Sequence, residues 1–81
     1  MLEKMKMKKE ILACFETSLS ATDKIVVDNF VDAYEMYISS WYDEDADYWY
    51  READKVVNTL LGMCENRTEY DRLLKVINCL L

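Results

Sequence analysis

Apolar residues recur along this 81-residue chain at intervals of three and four, and that period marks off four stretches. In the first, residues 3–19, Met5, Ile11, Leu12, Phe15 and Leu19 fall within one arc of a helix. The second starts at Ser20 or Thr22, either of which can cap a helix whose first turn holds Asp23, and continues over about 22–42. Val26, Val27, Phe30, Val31, Ala33, Tyr34, Tyr37, Ile38 and Trp41 cover an arc of roughly 160° there, broad enough to touch two neighbouring helices. This helix is therefore expected at the centre of the fold.

Residues 43–47 interrupt the period. A third helix is predicted from near Asp47, capped by Asp45 or Asp47, with Trp49, Ala53, Val56, Val57, Leu60, Leu61 and Cys64 inward, Tyr48 outward, and a stop at 65–67. Thr68 and Asp71 have the spacing of a capping box, with Asp where Glu or Gln is usual. Beyond it Tyr70, Leu73, Leu74, Ile77, Leu80 and Leu81 share one helical face. The pattern predicts an all-α protein, one domain over 1–81, built as a compact bundle of three to four antiparallel helices joined by connections of about 2 to 5 residues.

Composition supports that class. The chain has no Pro and one Gly, so the turn chemistry of tight hairpins is missing. A domain of this length buries only about 60 to 65% of the surface its unfolded form exposes, which makes the core thin. The absence of His and the odd set Cys14, Cys64 and Cys79 cannot build the usual Cys/His zinc sites and fit reduced thiols in a cytoplasm. Lysines at 4, 6, 8 and 9 precede a short apolar run that Glu16 closes, which reads as an amphipathic helix rather than a secretory signal. These lysines oppose the dipole of the first helix, so its start is expected to fray or to lean on acids elsewhere. No stretch approaches the ~20 apolar residues a membrane span needs, so a soluble protein is expected. Asn66-Arg67-Thr68 has the spacing of a glycosylation sequon but is read as a helix start.

Charge changes the picture most. Residues 1–15 carry net +2, residues 16–54 net −9 and residues 55–81 net +1. Within the acidic region Asp28, Asp32 and Glu35 line one stripe of the second helix, opposite its apolar arc. The belt over 41–54 then sets five aromatics and six carboxylates around the single cation Arg51. A buried segment would not hold that many acids, nor a solvated linker that many rings, so the belt is read as a contact surface. Its members Tyr42, Asp43, Glu44, Asp45, Asp47 and Tyr48 join the stripe as candidate partner-binding residues.

Reaction chemistry finds little footing. Asp43, Asp45 and Asp47 match three ligand positions of a calcium loop, but Tyr48 stands where that loop turns on Gly and Asp54 where it needs a bidentate Glu. Exposed carboxylates have no cause for shifted pKa values, the cysteines have no His base, and no Gly-rich loop can cradle phosphate. No cofactor, metal or enzymatic activity is expected. Cys79, on the polar side of the last helix, is the one cysteine placed to react.

Two readings of function follow. In the first the protein is a non-enzymatic acidic inhibitor that occupies the basic groove of a nucleic-acid-handling protein. Carboxylates stand in for phosphates, rings serve as anchors, and the surface itself repels nucleic acid. Small phage inhibitors of restriction and CRISPR systems are similar in size and charge, a likeness of composition that carries no motif. In the second it is a helical interaction module that self-associates as a homodimer or docks through apolar faces, with Leu73, Leu74, Ile77, Leu80 and Leu81 as the seam.

Overall fold

The computed structural model describes residues 2–16 and 18–81, with side chains from Lys4 onward. Among the described residues there are four helices and no strand: α1 (Leu2–Leu12), α2 (Ala21–Ile38), α3 (Asp43–Gly62) and α4 (Arg67–Leu80). They form an all-α bundle in which α2 packs most extensively, chiefly against α3 and then against α1. The bundle measures 38 × 22 × 22 Å, and α3, at about 1.5 Å per residue, accounts for most of its long axis.

Its core is one contiguous cluster centred on Ile11, Val27, Phe30, Val31, Ala53, Leu60 and Leu73, each at most 1% exposed. Phe30 begins a line of ring contacts that runs outward along α2, to Tyr34 at 6.4 Å, from Tyr34 to Tyr37 at 6.0 Å, and on to Tyr50 of α3 at 5.5 Å. Aromatic contacts at such distances add specificity of orientation to simple burial. One ring of the belt is thus structural, because Tyr50 joins the two longest helices.

The first helix ends well short of 19. After Leu12 the backbone tightens through Cys14 N–H to Ile11 and Phe15 N–H to Leu12, and the Glu16 N–H then donates to the Glu69 carboxylate at 2.8 Å instead of to a carbonyl of its own helix. That bond across 53 positions diverts the chain, and Thr17 lies outside the described residues. The inward face of α1 is also shifted: Met7 and Ile11 are buried, whereas Met5 is 62% exposed. The connection over 13–20 is accordingly longer than the bundle pattern predicts.

Of the two expected caps, Ser20 and Thr22, Ser20 caps α2, accepting from the Asp23 N–H at 3.1 Å. The helix stops at Ile38, four residues early, because the Ser39 and Ser40 hydroxyls donate to the Glu35 and Met36 carbonyls and close its last turn. Trp41 therefore leaves the apolar arc and is 94% exposed, and Ile38 is half-exposed.

The third helix begins four residues before its predicted start. Asp43, Glu44 and Asp45 are its first turn, Tyr42 is the N-cap residue without a side-chain bond, and the Ala46 N–H donates to the Tyr42 carbonyl at 3.0 Å. Acids at this end are favoured by the helix dipole, which explains how an acidic run becomes helix rather than loop. The aspartates of the considered calcium loop are helical, so the loop geometry itself is replaced.

At α4 the capping box is shifted by two residues from Thr68 and Asp71. Asn66 accepts from the Glu69 N–H at 2.9 Å, and Glu69 reaches back to the Glu65 N–H at 2.8 Å. Leu73 and Ile77 are buried in the core and Leu80 and Leu81 pack half-buried against it, so four residues of the expected apolar seam serve the fold's own packing, while Leu74 is half-buried outside that cluster.

Candidate functional site

The nine candidate residues divide into two environments. Asp28 and Asp32 face α1, where Lys8 pairs with Asp28 at 2.7 Å and Lys4 pairs with Asp32. As the lysine number rises by four the aspartate number falls by four, which fixes α1 and α2 as antiparallel. The hydrogen bond to Asp32, with further attraction from Glu35 and Asp28, raises the Lys4 pKa above its ordinary value, so the ammonium stays charged. The lysines that oppose the α1 dipole thus lean on the α2 acids. The stripe is not an open acidic surface, and a substitution of Asp28 or Asp32 to Lys would set like charges against each other across the α1–α2 contact.

Glu35, half-buried on the same stripe, also acts on Lys4, and the other six candidates gather at the corner between α2 and α3. Tyr42 is 74% exposed and Tyr48 55% exposed, with the Tyr48 ring set edge-on to Trp49 at 5.0 Å. Trp49 is half-buried against the core, as its position on the helical wheel predicts. Asp47 pairs with Arg51 at 3.1 Å within α3. Asp43, Glu44 and Asp45 are exposed and make no ion pair among the described residues. Trp41, Tyr42, Asp45 and Trp49, together with Met36 and the two serines, line a recess of about 390 Å³ that opens to solvent. Sequence periodicity placed Trp41 in the core. The adjacent serines, which terminate a helix by bonding its carbonyls, were the signal that it leaves it.

No protein-family model, curated protein or solved structure matches the chain.

What remains is the chemistry of the side chains. Among the described residues no group of three or more Cys, Asp or Glu is placed to hold a metal ion, and no helix is long and apolar enough to cross a membrane. Burial pushes the Cys14 and Cys64 thiols above their ordinary value. Cys79 is exposed. A thiol reagent should therefore label Cys79 in the folded protein and reach Cys14 only on unfolding, as read by mass spectrometry of the intact chain and its peptides. Equal native labelling of Cys14 and Cys79 would contradict the packing of α1.

Sequence reasoning passed over Glu69. Its side chain is 1% exposed and its carboxylate accepts from two backbone donors, Glu65 N–H and Glu16 N–H, each at 2.8 Å. Those two donors, the Glu65 bond first, hold its pKa below the ordinary carboxyl value. The residue ties the α1–α2 and α3–α4 connections to the start of α4, which makes it a structural joint and sets it apart from the corner.

Proposed function

We propose that this protein is a non-enzymatic binder that docks its α2–α3 corner on a basic protein surface, the nucleic-acid-binding groove of another protein being the class of target. The observation that carries this reading is the coincidence of the chain's two most exposed large aromatics, Trp41 and Tyr42, with the unpaired carboxylates Asp43, Glu44 and Asp45. A helix dipole accounts for acids in a first turn. It gives no reason for a tryptophan to stand 94% exposed beside them. Aromatic side chains of this kind anchor interfaces, and carboxylates around them attract a cationic partner and speed its approach. The α2 stripe contributes less than its sequence suggests, because Lys4 and Lys8 neutralise two of its members.

Neutralising the corner tests the reading. A variant carrying Asp43→Asn, Glu44→Gln and Asp45→Asn keeps polar side chains at the helix start but removes three charges. The immobilised protein, challenged with the heparin-binding protein fraction of a bacterial lysate, should retain partners at low salt, release them at high salt and lose them to added duplex DNA. The triple variant should retain none of them. Retention that is unchanged in the variant, or indifferent to salt, would remove the basis for charge-directed docking.

A further inference from the structure

The lining of the corner recess specifies more than a basic partner. A hydroxyl has one proton, and the Ser39 hydroxyl donates its own to the Glu35 carbonyl at 2.8 Å, while the Ser40 hydroxyl donates to the Met36 carbonyl at 2.6 Å. The capacity left on both oxygens is acceptor only. The backbone N–H groups of the same two serines donate to Glu35 and Tyr37. Asp45 adds a carboxylate, again an acceptor, and Trp41, Tyr42 and Trp49 add rings whose faces carry partial negative charge. Arg51, the nearest cation in the belt, is held by Asp47. The uncapped start of α3 would by itself favour an anion, but the first-turn carboxylates already supply negative charge there.

The indole N–H groups of Trp41 and Trp49 and the Tyr42 hydroxyl are donors at the ring edges, while the ring faces, the Asp45 carboxylate and the two serine oxygens suit a ligand that is cationic, planar and rich in donors. We infer that the recess receives an arginine side chain presented by the basic partner, its guanidinium lying against the Trp41 and Tyr42 rings and pairing with Asp45. Arginine fits better than lysine for two reasons. Its guanidinium is weakly hydrated and stacks on rings, and its five N–H donors match the Asp45 carboxylate and the two serine oxygens, whereas an ammonium is a compact, strongly hydrated point charge. The inference rests on the docking role proposed for this corner and adds the residue type that the corner reads.

Both tryptophans of the chain line the recess, so intrinsic fluorescence reports on it directly. Titration of the folded protein with a short oligo-arginine peptide should give a saturable change in emission, and an oligo-lysine peptide of the same length should bind roughly tenfold more weakly. Trp41→Ala removes a side chain that makes almost no contact with the fold, leaves Trp49 as reporter, and should weaken oligo-arginine by a similar factor. Asp45→Asn should do the same without altering the circular dichroism. Equal affinity for the two peptides, or unchanged affinity in Trp41→Ala, overturns the arginine site. If the triple amide variant then still loses both peptides, docking by charge stands while the recess reads nothing. If that variant also binds as the parent does, both readings fall.

Discussion

Phe30→Ala should lower the stability of this protein by about 3 to 4 kcal/mol, the usual result of truncating a fully buried aromatic. Phe30 is 0% exposed in the centre of α2, the helix with the most extensive packing. Its ring also begins the line of contacts through Tyr34 and Tyr37 to Tyr50, so the cavity would open where the two longest helices meet. A domain of this size has a total stability of roughly 4 to 12 kcal/mol at ordinary values per residue, so the loss is a large fraction of what is present. In thermal terms it corresponds to a fall in Tm of roughly 15 to 25 °C. Ile38→Ala is the control on the same helix, since Ile38 is 49% exposed and its truncation should change little. Urea melts followed by circular dichroism measure both. A Phe30→Ala protein as stable as its parent would mean that α2 is not the centre of the core.

The existence of that core was legible because it depends on local period. The broad apolar arc of α2, the Ser20 cap, the outward Tyr48 and the inward Trp49 all follow from residue spacing along one helix, and the structure has each of them. The errors lie at helix ends, where hydrogen bonds outside the apolar period decide, one of them made far along the chain and the others by near neighbours. Period alone carries α1 on to Leu19, whereas the helix ends at Leu12, tightens through the Cys14 and Phe15 N–H groups, and then gives the Glu16 N–H to Glu69, 53 positions away. At α4 two overlapping caps compete. Asn66 and Glu69 win over Thr68 and Asp71 because Glu is long enough to reach back to the preceding connection, as the capping-box pattern already favours.

The site was legible in part for the same reason. A dense mixture of rings and acids identified the belt, but its members could be sorted only with the ends of α2 and α3 in place. Ending α2 at Ile38 puts Trp41 into solvent, and starting α3 at Asp43 gathers three carboxylates beside it. Two acids of the α2 stripe pair with lysines of α1, which a helical wheel does not reveal, because it shows which side acids occupy and not what lies opposite. Even so, Lys4 and Lys8 share the four-residue spacing of Asp28 and Asp32, which is the trace such pairing leaves in a sequence.

Glu69 gives the second large effect, and it is specific in sign. Glu69→Gln keeps the shape of the side chain but presents an amide with one acceptor oxygen to two backbone N–H donors, leaving one of them opposed by another donor. At neutral pH the Tm should fall by roughly 10 °C, as expected when a buried acceptor of charge-assisted bonds is lost. The pH dependence separates this cause from a general packing defect. Because the folded-state pKa of Glu69 lies below the ordinary carboxyl value of 4.5, the unfolded chain binds the proton first as pH falls. The stability due to the carboxylate is therefore fully present above about pH 4.5 and is lost as pH drops through the folded-state value. The glutamine variant has no such group, so the difference in Tm between parent and variant should narrow steadily on acidification toward about pH 3. A difference that stays constant across that interval would show that the charge of Glu69 contributes nothing, and that the loss comes from the amide donor set against a backbone N–H at the joint between the two connections and α4.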